Sequence, residues 1–190
     1  LPAEQNECKT IVSEFKPVLE NPLISKIGQN IKYDILVLKW YDIDIQGELF
    51  DTMLAHYLID PDSRHNMDLL SENYLNYSPV SISTLIGEKG KNQGNMRDAD
   101  IEKVKEYAAE DADITLQLKT VFEPILKSVN AWKLAEDIEN PLIYVLADIE
   151  HEGVKIDQDA LVEFSKTLET DIRAFEKTIY EKAGVKFNIA

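Results

Sequence analysis

The sequence contains a single cysteine, Cys8, which excludes an internal disulfide and is typical of a reducing compartment such as the cytoplasm. Its apolar runs are far shorter than the roughly 20 residues that a membrane-spanning helix requires. The opening segment, LPAEQNECKT, has neither the basic nor the apolar region of a secretory signal. We therefore expect a cytoplasmic protein with no membrane segment. Because the sequence opens on Leu1 and not on methionine, we also expect it to be a piece of a longer chain.

Positive charge is scarce as well. The chain has 20 Lys and Arg residues against 35 Asp and Glu residues, a formal net charge of −15. Tight binding of nucleic acid through its phosphates normally needs a basic surface. Any contact with nucleic acid must therefore be local, weak or mediated by metal ions. The sequence also lacks internal repeats and any set of Cys and His residues with the spacing of a metal site.

Residues 101–122 carry the apolar periodicity of an amphipathic helix, in steps of three and four residues. The positions of this stripe are Ile101, Val104, Ala108, Asp111, Thr115, Leu118 and Phe122. An ionised aspartate on a buried stripe is costly unless it meets a cation or several hydrogen-bond donors. Tyr107 lies one turn before Asp111 on the same face. This pair is the strongest indication of function in the residues themselves.

A second helix is predicted from about residue 30 to residue 40, and its stripe also contains an aspartate. The stripe consists of Ile27, Ile31, Asp34 and Leu38. Asn30 stands one turn before Asp34, as Tyr107 stands before Asp111. The segment IKYDILVLKW is apolar nearly all round, which predicts burial on more than one side. Two separate helices thus carry an inward aspartate, each with a polar partner four residues earlier.

The remaining pattern predicts an α+β protein that is predominantly helical. The further elements expected are strands at 25–29 and 48–50 and helices at 4–19, 51–59, 66–75, 131–150 and 161–182. Asp51 is interpreted as a helix cap rather than a ligand, and His56 and His65 as structural or solvated residues. The long paired helices after about Asn130 indicate a separate helical unit.

Inward aspartates and a tyrosine suit one particular chemistry. Two divalent cations about 4 Å apart can activate a water and stabilise the leaving oxygen in phosphodiester cleavage. Mg²⁺ and Mn²⁺ prefer carboxylate oxygens, which several distant segments could supply. Acidic helix faces are common, however, and on spacing alone a solvated face is the favoured explanation of the string EDAD at 110–113.

Longer stretches of the sequence decide between a metal site and a solvated helix face. GQNIKYDILVLK, FDTMLAHYLIDPDSRHNMDLL, GKNQ and YAAEDADITLQL occur in this order. Together they closely resemble the 3′–5′ proofreading exonuclease domain of the family A DNA polymerases, the bacterial DNA polymerase I family. NPLIYVLADIEHEGVKID resembles the start of the polymerase region at the base of the thumb. The resemblance implies an RNase H-like (DnaQ-like) exonuclease segment at 1–129 and the beginning of a polymerase domain at 130–190.

The resemblance also implies roles for individual residues. The family's Asn-x-x-x-Asp motif falls on Asn30 and Asp34, and its Tyr-x-x-x-Asp motif on Tyr107 and Asp111. Asp111 would ligate one metal ion directly, Asp34 would serve the second largely through water, and Tyr107 would orient the attacking water. The residues implied to contact the single-stranded 3′ end of DNA are Gln29, Asn30, Tyr33 and Arg64. The implied cofactors are two Mg²⁺ or Mn²⁺ ions in the complete domain.

One motif of the family is missing from these residues. The Asp-x-Glu pair on the first strand supplies the other two ligands, and neither Asp42-Ile-Asp44 nor Glu4 with Glu7 has its pattern or strand context. The expected fold is therefore a truncated one that lacks its first strands. We expect the isolated chain to bind metal poorly and to have little or no nuclease activity, although its parent has both. Without a palm it cannot polymerise.

Two alternatives to a proofreading fragment stay open. A ribonuclease D-like exoribonuclease would share the metal motifs, but the tail after Asn130 resembles a polymerase thumb base and not an RNA-binding appendage. A noncatalytic, vestigial exonuclease scaffold is the other, and the presence of Asp34, Tyr107 and Asp111 argues against it. In the favoured hypothesis the rest of the polymerase chain holds the duplex, and only a few unpaired nucleotides enter this site.

Overall fold

The structure, a computed structural model, describes residues 5–88 and 90–189. It is predominantly helical with a small parallel sheet, so the predicted fold class is confirmed. The strands are β1 (Lys26–Gly28) and β2 (Leu49–Asp51), which pair with Ile27 opposite Phe50. The helices are α1 (Gln5–Ser13), α2 (Lys16–Leu19), α3 (Ile31–Lys39), α4 (Thr52–Ile59), α5 (Met67–Leu75), α6 (Ser83–Ile86), α7 (Ile101–Ser128), α8 (Trp132–Leu134), α9 (Asn140–Glu152) and α10 (Gln158–Ala183), with a 3₁₀ turn at Met96–Asp98 and a π-helical turn at Ala135–Glu139.

The chain divides into two compact units, the first ending at Glu152 and the second beginning at Gly153. Helix α9 packs against α3 and therefore belongs to the first unit. The break in packing thus comes later than the sequence boundary predicted between residues 129 and 130. That boundary stays a prediction, since a unit of packing and a unit of sequence need not end at the same residue. Glu4, the predicted start of the first helix, lies outside the described residues.

The main core of the first unit forms around the middle of α7, where α4 and α5 pack against it. Its buried members are Phe50, Ala55, Leu70, Ile114, Leu118, Phe122, Leu126 and Ala135. The predicted α7 stripe is therefore buried from Thr115 to Phe122. The first part of the stripe is not buried: Ile101 is 71% exposed, and Ala108 is also exposed. Periodicity identifies the apolar face but not how far along the helix other elements cover it.

A second cluster of buried residues joins α3 to α9. Its members are Ile31, Ile35, Ile45, Leu49, Ile143 and Ala147. Only one face of α3 is covered, since Tyr33 is 65% and Trp40 is 73% exposed. The expectation of burial on several sides was wrong. Aromatic rings made this segment look apolar all round, but a tyrosine or tryptophan can present its edge to water.

The second unit is dominated by α10, which Asp157 caps through a hydrogen bond from the backbone N–H of Ala160. The predicted stripe is present, but every member of it is exposed. These residues are Leu161, Phe164, Leu168, Ile172, Phe175 and Ile179, with exposed fractions between 39% and 68%. A regular apolar face of this length is unusual on a solvated helix. None of the described helices is long and apolar enough to cross a membrane.

Candidate active site

Asp34 and Asp111 line the same open cavity, which has a volume of about 630 Å³. Four elements meet there: the end of β1, the first turn of α3, the start of α5 and the middle of α7. The lining residues are Ile27, Gly28, Gln29, Asp34, Met67, Asp111, Ala112, Thr115 and Leu116. The fold therefore brings together the two aspartates that the sequence singled out on separate helices.

The turn between β1 and α3 sets the position of Asp34. A Cβ atom at Gly28 would lie 2.8 Å from the Cβ of Ile31, so a larger residue there would push the helix away from the strand. Asn30 follows in the left-handed conformation, with φ of 59°, and α3 begins at the next residue. Asparagine tolerates this conformation better than most residues. The chain thus reverses directly from strand to helix and carries Asp34 to the cavity.

Asp51 lies beneath this turn and is only 3% exposed. Its Oδ1 accepts hydrogen bonds from the backbone N–H groups of Met53, Leu54 and Asn30, and its Oδ2 accepts one of 2.8 Å from Ile31. The predicted cap of α4 is confirmed. The same carboxylate also binds the N-terminus of α3, which the sequence did not indicate. Burial raises the pKa of Asp51, although the four N–H donors act in the opposite direction.

Both cavity aspartates have pKa values above the usual range. Asp34 is exposed, not inward as predicted, but the protein around it removes part of its water and so raises its pKa, and the negative charge of Asp51 adds to this. For Asp111 burial is again the largest cause, and Glu110 and Asp68 add to it, while a hydrogen bond from Tyr107 acts against it. A bound divalent cation would act in the opposite direction and lower the pKa of both groups.

The donor set fits a hard divalent cation in its chemistry but is small. Mg²⁺ is often bound by one or two carboxylates, with water and substrate phosphates completing its coordination. Asp34 and Asp111 could supply such a pair. Within residues 5–88 and 90–189, no three His, Cys, Asp or Glu side chains come close enough together to form a complete metal site.

Tyr107 connects the Asp111 carboxylate to a neighbouring groove. Burial, then the charge of Asp111 and a hydrogen bond to it, raise the pKa of Tyr107 to about 12. The phenol therefore stays protonated near neutral pH and can donate a hydrogen bond, but it cannot serve as a base. Glu110 lines the same groove and accepts hydrogen bonds from the Tyr77 hydroxyl and the Val80 N–H.

The residues predicted to contact DNA surround the cavity in different ways. Tyr33 is exposed in the first turn of α3, and Asn30 is exposed immediately before that helix. Arg64 is exposed on the loop between α4 and α5 and forms no ion pair within the described part of the chain. Gln29 lines the cavity, but its side-chain amide is engaged by the protein on both sides.

His56 is buried in a cluster of rings, as its interpretation as a structural residue implied. Its Nδ1 lies 2.7 Å from the Nδ1 of His65, and its Nε2 lies 3.1 Å from the Tyr74 hydroxyl. One imidazole must donate to the other, which requires at least one of the rings to be neutral. Burial, and then His65, lower the pKa of His56, while Asp60 acts in the opposite direction.

We expect this cluster to make folding sensitive to mild acid. Because the pKa of His56 is lower in the folded chain, the unfolded chain takes up its proton first as the pH falls. Above the usual histidine pKa of about 6.5, this group does not lower the free energy of unfolding. Below that pH the free energy of unfolding decreases as the pH falls. Urea unfolding at about pH 7.5 and about pH 5.5 should show a larger loss of stability for the wild type than for His56→Gln. Equal losses, or a normal pKa for His56 in an NMR titration, would contradict this.

Sequence reasoning missed two acidic residues that act on the site. Asp68, in the first turn of α5, contributes to the raised pKa of both Tyr107 and Asp111. Glu110 does the same and also ties the 77–80 segment to α7. Glu110 stands next to Asp111 in the sequence, but no local pattern places Asp68 near either residue. Only the packing of α5 on α7 brings Asp68 there.

Comparison with known protein families supports the family assignment made from the two motifs. The family described as 3′-5′ exonuclease matches residues 2–127, well over half of the chain. The chain belongs to this 3′–5′ exonuclease family. The resemblance inferred from the strings around Asp34 and Asp111 is thereby confirmed.

Curated relatives of this chain include DNA polymerases. It is 38% identical over 176 residues to DNA polymerase I of Rhizobium leguminosarum, covering 92% of this chain and 17% of that protein. It is 37% identical over 190 residues to DNA polymerase I of Pseudomonas aeruginosa, covering 98% of this chain and 21% of that protein. The chain therefore spans about a fifth of the length of these relatives.

Solved structures share the fold of the exonuclease chain. The POL domain of Pol1 from M. smegmatis, in complex with DNA primer-template and dNTP, aligns with a TM-score of 0.72 at 20% identity. That alignment covers 93% of this chain and 27% of the other. Brucella melitensis NrnC aligns with a TM-score of 0.61 at 22% identity, covering 72% of this chain and 63% of NrnC. At these identities the likeness concerns the fold alone.

Proposed function

We propose that this chain is the 3′–5′ exonuclease segment of a DNA polymerase I, acting on the single-stranded 3′ end of DNA. The observation that carries the proposal is the shared cavity of Asp34 and Asp111, with Tyr107 one helical turn before Asp111 on α7. Membership of the 3′–5′ exonuclease family supports the reaction. The DNA polymerase I relatives support DNA as the substrate.

Asp111 and Asp34 would hold the two divalent ions, Mg²⁺ or Mn²⁺, which supply an activated water and stabilise the leaving oxygen. The Tyr107 hydroxyl, protonated because its pKa is about 12, would donate or share a hydrogen bond with the attacking water. Asp68 and Glu110 lie near enough to repel the Asp111 charge, so they strengthen its demand for a cation.

Asn30, Tyr33 and Arg64 would contact the terminal nucleotides. An exposed tyrosine offers a ring on which a base can stack, and an unpaired arginine can bind a phosphate. These are local contacts, which suits a chain with a net charge of −15. The remaining affinity would come from the rest of the polymerase chain. We infer a cytoplasmic location from the single cysteine and the proposed role.

We expect these 190 residues by themselves to cleave DNA slowly or not at all. Two carboxylates without the Asp-x-Glu pair form only part of a two-metal site, and the described residues gather no third ligand. The test is a single-turnover assay with Mn²⁺ on a single strand labelled at its 3′ end, comparing this chain with the full-length protein. Rapid cleavage by the 190 residues alone would refute the expectation. Absence of cleavage by the full-length protein would refute the proposed function.

The same assay separates DNA from RNA as the substrate. The proposed function requires the full-length protein to release nucleotides from a DNA strand faster than from an RNA strand of the same sequence. A preference for RNA would favour the ribonuclease D-like alternative. No cleavage of either strand, with a normal fold, would favour the noncatalytic scaffold.

A further inference from the structure

The Asp34 carboxylate, exposed in the first turn of α3, is not held by a partner of its own. Among the described residues, its side chain forms no hydrogen bond or ion pair with another residue. The position of this carboxylate therefore depends on where α3 begins and on the direction in which the helix leaves the preceding turn.

The helices that carry the two cavity aspartates are fixed by different neighbours. Helix α3, with Asp34, packs on α9. Helix α7, with Asp111, packs on α4, α5 and β1. Strand β1 ends at Gly28, and α3 begins three residues later. The turn at residues 28–31 thus connects the strand on which α7 packs to the helix that carries Asp34.

Asp51 clamps this turn. It lies opposite Gly28 at the end of the two-stranded sheet. Its Oδ2 accepts a hydrogen bond of 2.8 Å from the N–H of Ile31, the first residue of α3, and its Oδ1 accepts one of 3.2 Å from the N–H of Asn30. The same carboxylate is held by the N–H groups at the start of α4. Asp51 therefore fixes the start of α3 relative to the sheet.

We infer that Asp51 is a positioning residue for metal binding: by holding the start of α3 against the sheet, it places the Asp34 carboxylate where it can bind divalent cations together with Asp111. The inference rests on the proposed function, in which both aspartates serve such ions. It goes beyond helix capping, because a residue that only stabilises the fold would not change the metal affinity of the folded protein. Groups that orient a metal ligand typically change metal affinity about 10- to 100-fold when they are removed.

Two variants of the full-length protein release the turn in different ways. In Asp51→Asn, the remaining oxygen can still accept from the N–H groups of Met53 and Leu54, while an amide nitrogen replaces the acceptor that the Ile31 N–H requires. In Gly28→Ala, the new Cβ would lie 2.8 Å from the Cβ of Ile31 and displace the start of α3. Every charge is retained in this second variant, so it separates the position of the helix from the charge of Asp51.

Metal affinity is measured by Mn²⁺ titration calorimetry without DNA, and by single-turnover cleavage at increasing Mn²⁺ concentration. In Asp51→Asn and in Gly28→Ala, the Mn²⁺ concentration for half-maximal cleavage should rise about tenfold, and calorimetry should show one Mn²⁺ site weakened by the same factor. The backbone amides of residues 30–34 should exchange hydrogen faster in both metal-free variants, because the start of α3 is released. The matched control, Asp100→Asn, alters the exposed cap of α7 and should equal the wild type in all three measurements.

Unchanged Mn²⁺ affinity in folded Asp51→Asn would overturn the inference and leave Asp51 as a structural cap. Weaker Mn²⁺ binding in Asp51→Asn with wild-type hydrogen exchange at residues 30–34, or with wild-type Mn²⁺ binding in Gly28→Ala, would also overturn it, since the lost charge would then be the cause. If Asp51→Asn does not fold, Gly28→Ala decides, and wild-type Mn²⁺ affinity there rejects the inference. A full-length wild type that neither binds Mn²⁺ nor cleaves DNA would instead refute the proposed function, and this inference with it.

Discussion

Replacing Asp111 with asparagine in the full-length protein is expected to lower the rate of 3′-end cleavage by roughly a thousandfold, because loss of the proposed metal ligand would forfeit several kcal/mol of transition-state stabilisation. The carboxylate lies on the cavity it shares with Asp34, where burial and the neighbouring acids Glu110 and Asp68 raise its pKa. Asparagine keeps the shape of the side chain but not its charge. Single-turnover cleavage and Mn²⁺ titration calorimetry on the same sample measure the rate and the metal affinity together.

The control for this variant is Asp113→Asn. Asp113 lies on the same helix two residues later, is exposed, and accepts a hydrogen bond of 2.6 Å from Gln117. It should retain wild-type cleavage and wild-type Mn²⁺ affinity. Cleavage by Asp111→Asn within a few-fold of the wild type would remove Asp111 from the proposed mechanism. A loss of rate with unchanged metal affinity would assign it a role other than that of a ligand.

Replacing Asp51 with alanine is expected to destabilise the first unit by about 3 kcal/mol or more. The carboxylate caps α3 and α4 together, and each lost cap costs about 1 kcal/mol. Buried N–H groups left without an acceptor cost about 1–3 kcal/mol each. Relief of the buried charge, which the raised pKa of Asp51 reflects, offsets only part of this. Urea unfolding followed by circular dichroism and tryptophan fluorescence measures the loss, since Trp40 and Trp132 both lie in this unit.

Two further variants make the Asp51 result interpretable. Asp100→Ala removes an exposed cap of α7, which accepts hydrogen bonds from the N–H groups of Glu102 and Lys103, and should cost about 1 kcal/mol. Asp51→Asn keeps one acceptor oxygen and should fall between the alanine variant and the wild type. If Asp51→Ala costs no more than Asp100→Ala, the double cap contributes nothing beyond an ordinary one.

The sequence predicted the two strands and the central helices because those signals are local. The apolar stripe of α7 and the cap at Asp51 each depend on residues that lie close together in the sequence. It could not predict where each stripe stops being buried. Ile101 and the whole face of α10 have the right spacing for burial and yet are exposed, because exposure depends on which distant elements cover a face.

By itself, the sequence determined the family of this protein and the two aspartates at which its chemistry is proposed to occur. Asn30 with Asp34, and Tyr107 with Asp111, are pairs four residues apart, so helix geometry alone places each pair on one face. Only the tertiary structure decided that Asp34 and Asp111 line one cavity, that Asp51 caps two helices, and that the Gln29 amide donates a hydrogen bond to the backbone of His65. These features require the pairing of β1 with β2 and the packing of α5 on α7. Such contacts join residues far apart in the chain, and no local periodicity records them.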